Sequence, residues 1–403
     1  MRSLVPPVSP MHNLEGLSRS PAAVSPVAKP RVLMPILSLA SFVQTDVRLL
    51  SERYDVELID CRSAGAVLRT AIKAITADCV YCWFASTWFL PVIALARLLR
   101  KPVVIVCGGY DVANLPEIDY GNMRSQFSRW LGRLVLKGGS AIVPFSWSAY
   151  REARDNAAVH PSKLHMVYLA VDESIGEASV SARKAPVVLT VSNIDDSTLT
   201  RKGLMTVATV SRLLPDIDFV IVGRAEPQAL ARLKSAAGTN VRFTGFVDGP
   251  TLDQLMSTSK VIFQPSLHEG FGMSVAEAML HGAIPVVSSR FSLPEVVGEH
   301  GFYGEPDNPN ELAESVRRAL AAGPELGAAA RERVVSQFAL GHRRRALLEL
   351  MELICPTNDT SAAFTHSSAN RDQKCTDARN SMSRYSGKND GDGDVGQRER
   401  NHY

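Results

Sequence analysis

The chain lacks three things that would have narrowed its class at once. It has no regular cysteine framework, no large excess of one charge, and no clean apolar run of bilayer length. Its six cysteines, Cys61, Cys79, Cys82, Cys107, Cys355 and Cys375, are scattered through 403 residues, which excludes a small disulfide-stapled scaffold. Cys79 and Cys82 form one CxxC with no second pair, inside an apolar strand-like run. Residues three apart in a strand point to opposite faces, so both read as buried thiols. The formal charge of +3 is too small to drive binding to nucleic acid, and no nucleic-acid partner is expected. Val80–Leu99 is the one candidate span, but Pro91 breaks it and Arg97 interrupts its apolar pattern. It reads better as a strand (Cys79–Phe84), a turn and a helix (Phe89–Leu99). Residues 1–29 are rich in Pro and Ser and lack the apolar core of a secretory signal. A cytoplasmic location is the expectation.

What is present is a globular composition, 45% hydrophobic and 21% charged, over a length that suggests more than one domain. Residues 1–29 and 356–403 lack apolar periodicity and are expected to be disordered tails. Asp390, Asp392 and Asp394 resemble the start of a calcium loop. Val395 stands where the loop needs Gly and Asn401 where it needs Glu, so a solvated acidic patch is the better reading. Between the tails, short apolar runs alternate with helical stretches: Val32–Leu37, Val56–Asp60, Cys79–Phe84, Val103–Val106, Ala141–Phe145 and Leu164–Leu169. A polar linker follows from Asp172 to Ala185. The pattern then restarts at Val187–Val191, Phe219–Val222, Val241–Thr244, Val261–Gln264 and Pro285–Ser288. Such alternation predicts parallel βαβ units. The fold class is therefore α/β, with two Rossmann-like domains, 30–172 and 186–335, facing a cleft. Residues 336–355 read as a last helix.

The most informative segment is HEGFGMSVAEAMLHG over 268–282. A strand runs into a Gly-rich turn, and a helix begins near Ser274. Gly270 and Gly272 let the backbone bend and expose N–H groups, and the helix start adds partial positive charge. Together they make an anion seat suited to phosphate. Glu269 and Glu277 bracket it, and each could accept hydrogen bonds from hydroxyls. A diphosphate with a hydroxylated ring on either side is a nucleotide sugar. Bland readings stand beside this one. Ser274 to Glu277 is also a capping box, and Glu269 alone could be a surface-loop carboxylate.

Glu269 and Glu277 form an E-x7-E pattern within EGFGMSVAEAMLHGAIPVV. This resembles the hallmark of glycosyltransferase family 4, and the similarity extends from about Val187 to Ala321 through SLPEVVGEHGFYGEPDNPNELAESVRRAL. The first domain resembles the family in architecture and in its VIVCGGYD run. The resemblance implies the GT-B fold, with acceptor side first and donor side second, and the last helix packing back on the first domain. It implies retention of anomeric configuration, no metal and no cofactor beyond the donor itself.

Residue by residue, the resemblance implies that Glu269 contacts the transferred sugar and Glu277 the ribose. Gly270, Phe271, Gly272 and Met273 would line the phosphate turn, and Lys202 of Arg201–Lys202–Gly203 would neutralise the diphosphate. Chance surface charge is the other reading of Lys202. Asn193 stands where the family usually has Arg, and Arg201 could supply that charge. Gly108 stands where many members carry a His, while Gly109 and Asp111 keep the rest of that acceptor-side stretch. Asp111, following a strand and two glycines, is either a cleft-facing catalytic group or an Asx turn. Asp195 and Asp196 read as a loop before a helix. The expected partners are a nucleotide sugar and a glycan or lipid-linked acceptor. The basic segment 124–137 has Arg129, Arg133 and Lys137 at helical spacing with Phe127, Trp130, Leu131 and Leu134. It is either a peripheral contact with the inner face of a membrane or the solvated face of a helix. A non-catalytic nucleotide-sugar binder and a sugar-nucleotide epimerase remain as alternatives.

Overall fold

β-branched runs that are buried on both faces make parallel strands, and two sets of them organise this molecule. The computed structural model describes residues 28–175 and 184–357; the two tails, with Cys375 and the acidic 390–394 cluster, lie outside the described residues. The first domain runs β1 (Arg31–Ile36), α1 (Ser41–Leu50), β2 (Asp55–Asp60), α2 (Ala64–Lys73), β3 (Cys79–Trp83), α3 (Leu90–Leu98), β4 (Val103–Cys107), α4 (Gln126–Gly138), β5 (Ala141–Pro144) and α5 (Trp147–Asp155). Its sheet has the order β2-β1-β3-β4-β5, every pairing parallel. The strand expected at Leu164–Leu169 does not form. That segment lies beside β5 through two backbone bonds, His165 N–H to Ile142 O and Val167 N–H to Pro144 O.

The second domain runs β6 (Ala185–Val191), α6 (Asp196–Arg201), α7 (Leu204–Leu213), β7 (Asp218–Val222), α8 (Pro227–Ala236), β8 (Val241–Gly245), α9 (Gly249–Thr258) and β9 (Ser259–Gln264). It continues through α10 (Met273–Leu280), β10 (Ile284–Ser288), α11 (Leu293–Val297), β11 (Phe302–Gly304), α12 (Pro309–Ala321) and α13 (Pro324–Phe338). The sheet order is β11-β10-β9-β6-β7-β8, again parallel. These are the two Rossmann-like sheets that the alternation of apolar runs predicts.

Val80–Leu99 divides into buried β3, a 3-10 turn (Thr87–Phe89) and α3. Among the described residues no helix is long and apolar enough to cross a membrane. The last helix, α14, spans Leu340–Ile354; residues 336–338 complete α13 instead. α14 sends Arg343 into the first domain, where its guanidinium donates to both carboxylate oxygens of Asp46 at 2.6 and 2.7 Å. Tyr81 Oη donates to the same carboxylate at 2.7 Å. Arg343 also donates to the carbonyls of Val167 and Tyr168. Both ions are buried, and a buried charge persists only with partners of this kind. α14 is thereby fixed on the first domain in a single register.

Candidate active site

In a sheet wound both ways, ligands gather beyond the carboxyl ends of strands where the winding reverses. In the second sheet that point lies between neighbouring β6 and β9. Ser192–Asp195 follows one strand and the Gly-rich turn 265–272 follows the other. The turn ends at Gly272, which precedes α10 with φ 99°, a left-handed conformation that suits glycine. The first backbone bonds of α10 run from the N–H groups of Val275 and Ala276 to Gly272 O. The amides ahead of them lie at the positive end of the helix.

The helix therefore starts at Met273 with no side-chain cap, which overturns the capping-box alternative. Ser274 is already inside the helix, and Glu277 lies a full turn in. Glu277 is partly buried, and burial, with Asp253 adding to it, pushes its carboxyl up to about 7. A carboxyl left out of capping and held in an apolar setting is free to bind a ligand hydroxyl.

Arg201 and Lys202, a basic pair that could be read as opening a helix, stand at the other end of one. They end α6 rather than begin a helix, and basic residues suit a helix C-terminus. Their own helix thus needs no anion to explain them. Gly203, at φ 67°, turns the chain into α7, and a Cβ there would sit 2.1 Å from Pro265 O. The pair is tied to the β9 exit by Leu267 N–H to Arg201 O at 2.8 Å and Gln264 Nε2 to Lys202 O at 3.1 Å. This brings Lys202 Nζ onto Glu269 Oε1 as an ion pair, with Ser266 Oγ donating to the same oxygen at 3.0 Å. Burial pushes the Glu269 carboxyl up, but Lys202, Arg201 and Ser266 outweigh it and hold it below its ordinary value. Glu269 is thus a buried carboxylate, and the surface-loop reading does not hold.

Arg201 lies over the Tyr120 ring at 4.8 Å, and its buried Nε has no hydrogen-bond partner among the described residues. A buried guanidinium donor without an acceptor is costly, and a phosphate oxygen would satisfy it. Tyr120 comes from the first domain and also packs on His268, ring to ring at 5.2 Å. His268 Nε2 meets Glu152 of α5 at 3.0 Å.

On the first domain, Gly108 has φ 146°, and a Cβ there would lie 2.8 Å from both Ala149 and the Phe145 ring. The side chains of Ala149 and Phe145 leave no space for a His at this position. Gly270 has the matching constraint, since its Cβ would lie 2.2 Å from Gly108 O. Asp111 accepts from the N–H groups of Ala85, Gly108 and Gly109 at 3.0, 3.2 and 2.9 Å. Burial pushes its carboxyl up, against the pull of these three bonds. Asp111 thus shapes the glycine loop that meets the turn 265–272.

Asp195 is the N-cap of α6, in a capping box with Thr198, and Asp196 pairs with Arg232. Asn193 is exposed. Three groups carried no signal beyond their presence in the sequence. Glu295, in the SLPEVV stretch, accepts from Trp147 and Ser148 N–H at 2.7 and 2.6 Å and so caps α5 from the opposite domain. Glu152 was one acid of an ordinary helix. Arg224 lies over the exposed Phe246 ring at 4.6 Å, just past the ends of β7 and β8, and only the fold brings those loops together.

With this geometry in place, the likeness to known proteins is specific. Residues 185–322 match the sequence model of the family described as Glycosyl transferases group 1. The chain is 34% identical over 80 residues to the O-antigen chain mannosyltransferase B of Escherichia coli, covering 20% of this chain and 21% of that protein. It is 28% identical over 261 residues to the alpha-maltose-1-phosphate synthase of Mycolicibacterium smegmatis, covering 56% of this chain and 66% of that one. The chain thus spans about a fifth of the first relative's length and just under two thirds of the second's. In structure it is similar to Anabaena Alr3699/HepE, solved in complex with UDP and glucose, with a TM-score of 0.67 at 17% identity, over 80% of this chain and 100% of that one. In fold, and in the sequence of its second domain, the chain is similar to GT-B glycosyltransferases.

Proposed function

We propose that the protein is a retaining glycosyltransferase of family 4. It would move a sugar from a nucleotide-diphosphate donor to a glycan, lipid-linked or other glycoconjugate acceptor, with neither metal nor added cofactor. The observation that carries this reading is the Lys202–Glu269 ion pair set against the start of α10, with the unpartnered Nε of Arg201 beside it. An ammonium, a guanidinium and the amides of Gly270 to Met273 suit a diphosphate whose charge grows as it leaves. Glu269 accepts hydroxyls of the transferred sugar, and Glu277 those of the ribose. The relatives' names favour a hexose donor and a part in polysaccharide or glycoconjugate assembly.

Retention is the outcome the family resemblance implies, and the state of two nearby carboxylates supports it. Both oxygens of Asp111 are held by backbone N–H groups, and Glu152 is bound to His268. Neither stands open as the general base that inversion usually needs. The bond from the anomeric carbon to phosphate breaks, the acceptor oxygen bonds to that carbon on the same face, and its proton passes to the departing phosphate oxygen.

Incubation with a panel of nucleotide sugars and acceptors tests this. Nucleoside diphosphate should be released only when an acceptor is present, at an unchanged rate in excess chelator. The first-formed glycoside should keep the donor's configuration by NMR. Loss of activity in chelator, restored by magnesium or manganese, would direct attention to Asp195 and Asp196. Inversion would return Asp111 to the role of base. Donor isomerisation without acceptor would indicate an epimerase, and tight donor binding with no turnover a binding protein.

A further inference from the structure

The first domain presents an outer surface that the reaction site does not use. α2, α3 and α4 all bury residues in one core on the same side of the first sheet: Val67 and Ala71, Val92 and Ile93, Val135 and Leu136. Their outward sides are unusually apolar. Phe127 and Trp130 are 71% and 61% exposed and stack on each other at 6.4 Å. Leu134 continues their stripe on α4, Leu68 and Ile72 form another on α2, and Leu98 on α3 is 78% exposed. Single exposed apolar residues mean little, but a contiguous group marks an interaction surface. Between α2 and the 3-10 turn lies a groove of about 420 Å³, lined by Ala64, Val67, Leu68, Thr87, Trp88 and Pro91. It is remote in sequence and in lining from Glu269 and Lys202.

Charge decides what covers this surface. The three helices carry Arg69, Lys73, Arg97, Arg129, Arg133 and Lys137 and no carboxylate; of these, among the described residues, only Lys73 is paired with an acid, Glu57 of β2. No acidic residue occurs anywhere in 61–77, 79–110 or 120–151. A second copy of this face would bring like charges together, whereas an anionic bilayer supplies both acyl depth and opposite charge. The starts of α2 and of the 3-10 turn follow the carboxyl ends of β2 and β3, the edge of the sheet where ligands gather. At the same edge Arg124, just ahead of α4, donates to Tyr110 Oη at 2.8 Å, and Tyr110 packs on Tyr120, the cover of Arg201.

We propose that the α2–α3–α4 face docks on an anionic membrane surface, with Phe127, Trp130, Leu68 and Ile72 among the acyl chains and the Trp88 groove receiving one chain. This deepens the transferase reading, since a membrane-held acceptor would enter at the rim of the cleft. Docking itself does not depend on transfer.

The test is flotation of the full chain with vesicles of phosphatidylcholine alone or with about a third phosphatidylglycerol. Binding should need the anionic lipid, weaken in high salt, and shift the tryptophan emission to the blue. Phe127→Ser with Trp130→Ser should lower it at least tenfold. Leu68→Ser with Ile72→Ser, which leaves α4 intact, should do the same. Arg133→Gln and Lys137→Gln, at exposed positions on α4, should each cost about fivefold, from about 1 kcal/mol per cation near the surface. All these variants should melt normally and keep the wild-type thermal shift with nucleoside diphosphate, which separates this proposal from the reading of the site. Equal binding to neutral vesicles, no binding at all, or binding untouched by the α2 pair would overturn it. So would a dimer in solution that Trp130→Ser dissociates.

Discussion

Lys202→Ala is expected to lower glycosyl transfer by roughly ten- to over a hundredfold and to weaken bare nucleoside diphosphate as well. Hydrogen bonds to charged groups are worth about 1.5–3 kcal/mol, and each 1.36 kcal/mol is about tenfold in rate. The upper end is favoured because Lys202 has two duties. It would face the leaving diphosphate, and it is the largest influence holding the buried Glu269 carboxyl down against desolvation. Without the ammonium, burial pushes that carboxyl up and the sugar end suffers too. Lys202→Ala and Glu269→Gln together should therefore cost less than the sum of the single changes. Lys202→Arg should restore part of the nucleotide affinity but less of the transfer, because a planar guanidinium does not fill the place of a point charge. Calorimetry with the bare diphosphate and initial rates of transfer would check this. Unchanged transfer in Lys202→Ala would remove the pair from the mechanism.

The second large effect concerns Glu277, whose carboxyl is raised from 4.5 to about 7. The stabilising effect of a raised carboxyl is fully present below its unfolded value. It is lost as pH rises through the folded one, at about 1.4 kcal/mol per pH unit between them. The melting temperature should fall from pH 5 to 8, and Glu277→Gln, which carries no charge, should fall less and be the more stable protein at pH 8. Binding runs the other way. The ionised form is the better acceptor for ribose hydroxyls, so wild-type affinity for nucleoside diphosphate should rise through about pH 7. In Glu277→Gln it should be weaker by about tenfold at pH 8 and lose that part of its rise. Both are differences from wild type, which removes the titration of the ligand's own phosphate. A variant with the wild-type pH profile of binding would show that Glu277 does not touch the nucleotide.

The sequence revealed the fold where chemistry is local and missed it where contacts are long-range. Runs such as Val103–Val106 and Val261–Gln264 announce buried parallel strands by composition. Phe302–Gly304 was not predicted as a strand: it is three residues long at the sheet edge, partly exposed, and contains Gly. Leu164–Leu169 has the apolar pattern of a strand but runs beside β5 with only two backbone bonds. Ser274 and Glu277 have capping-box spacing, yet Gly272, in the left-handed region, starts the helix one residue before Ser274 and leaves Glu277 uncommitted. Within the candidate site, Glu269 and the glycines were legible because a turn, a helix start and flanking acids are adjacent in the chain. Resemblance placed Lys202 and Glu269 at one donor site, but their ion pair, 67 residues apart, was not legible in the sequence. The contacts of Glu295 with α5 and of Glu152 with His268 cross between domains, and no spacing rule encodes them. Gly108 looked like a lost His; the packing of Phe145 and Ala149 against it shows why glycine is required.

The most direct test of the central assignment is to titrate wild type, Glu269→Gln and Glu277→Gln with bare nucleoside diphosphate and with the matching nucleotide sugar. Glu269→Gln should bind the bare diphosphate about as tightly as wild type and lose transfer by tenfold or more, because it touches the sugar. Glu277→Gln should weaken both ligands alike, because both carry the ribose. If Glu269→Gln weakened the bare diphosphate as much as Glu277→Gln does, the sugar and ribose ends would be wrongly assigned. If neither change altered binding or transfer, the nucleotide-sugar site would not lie between Glu269 and Glu277.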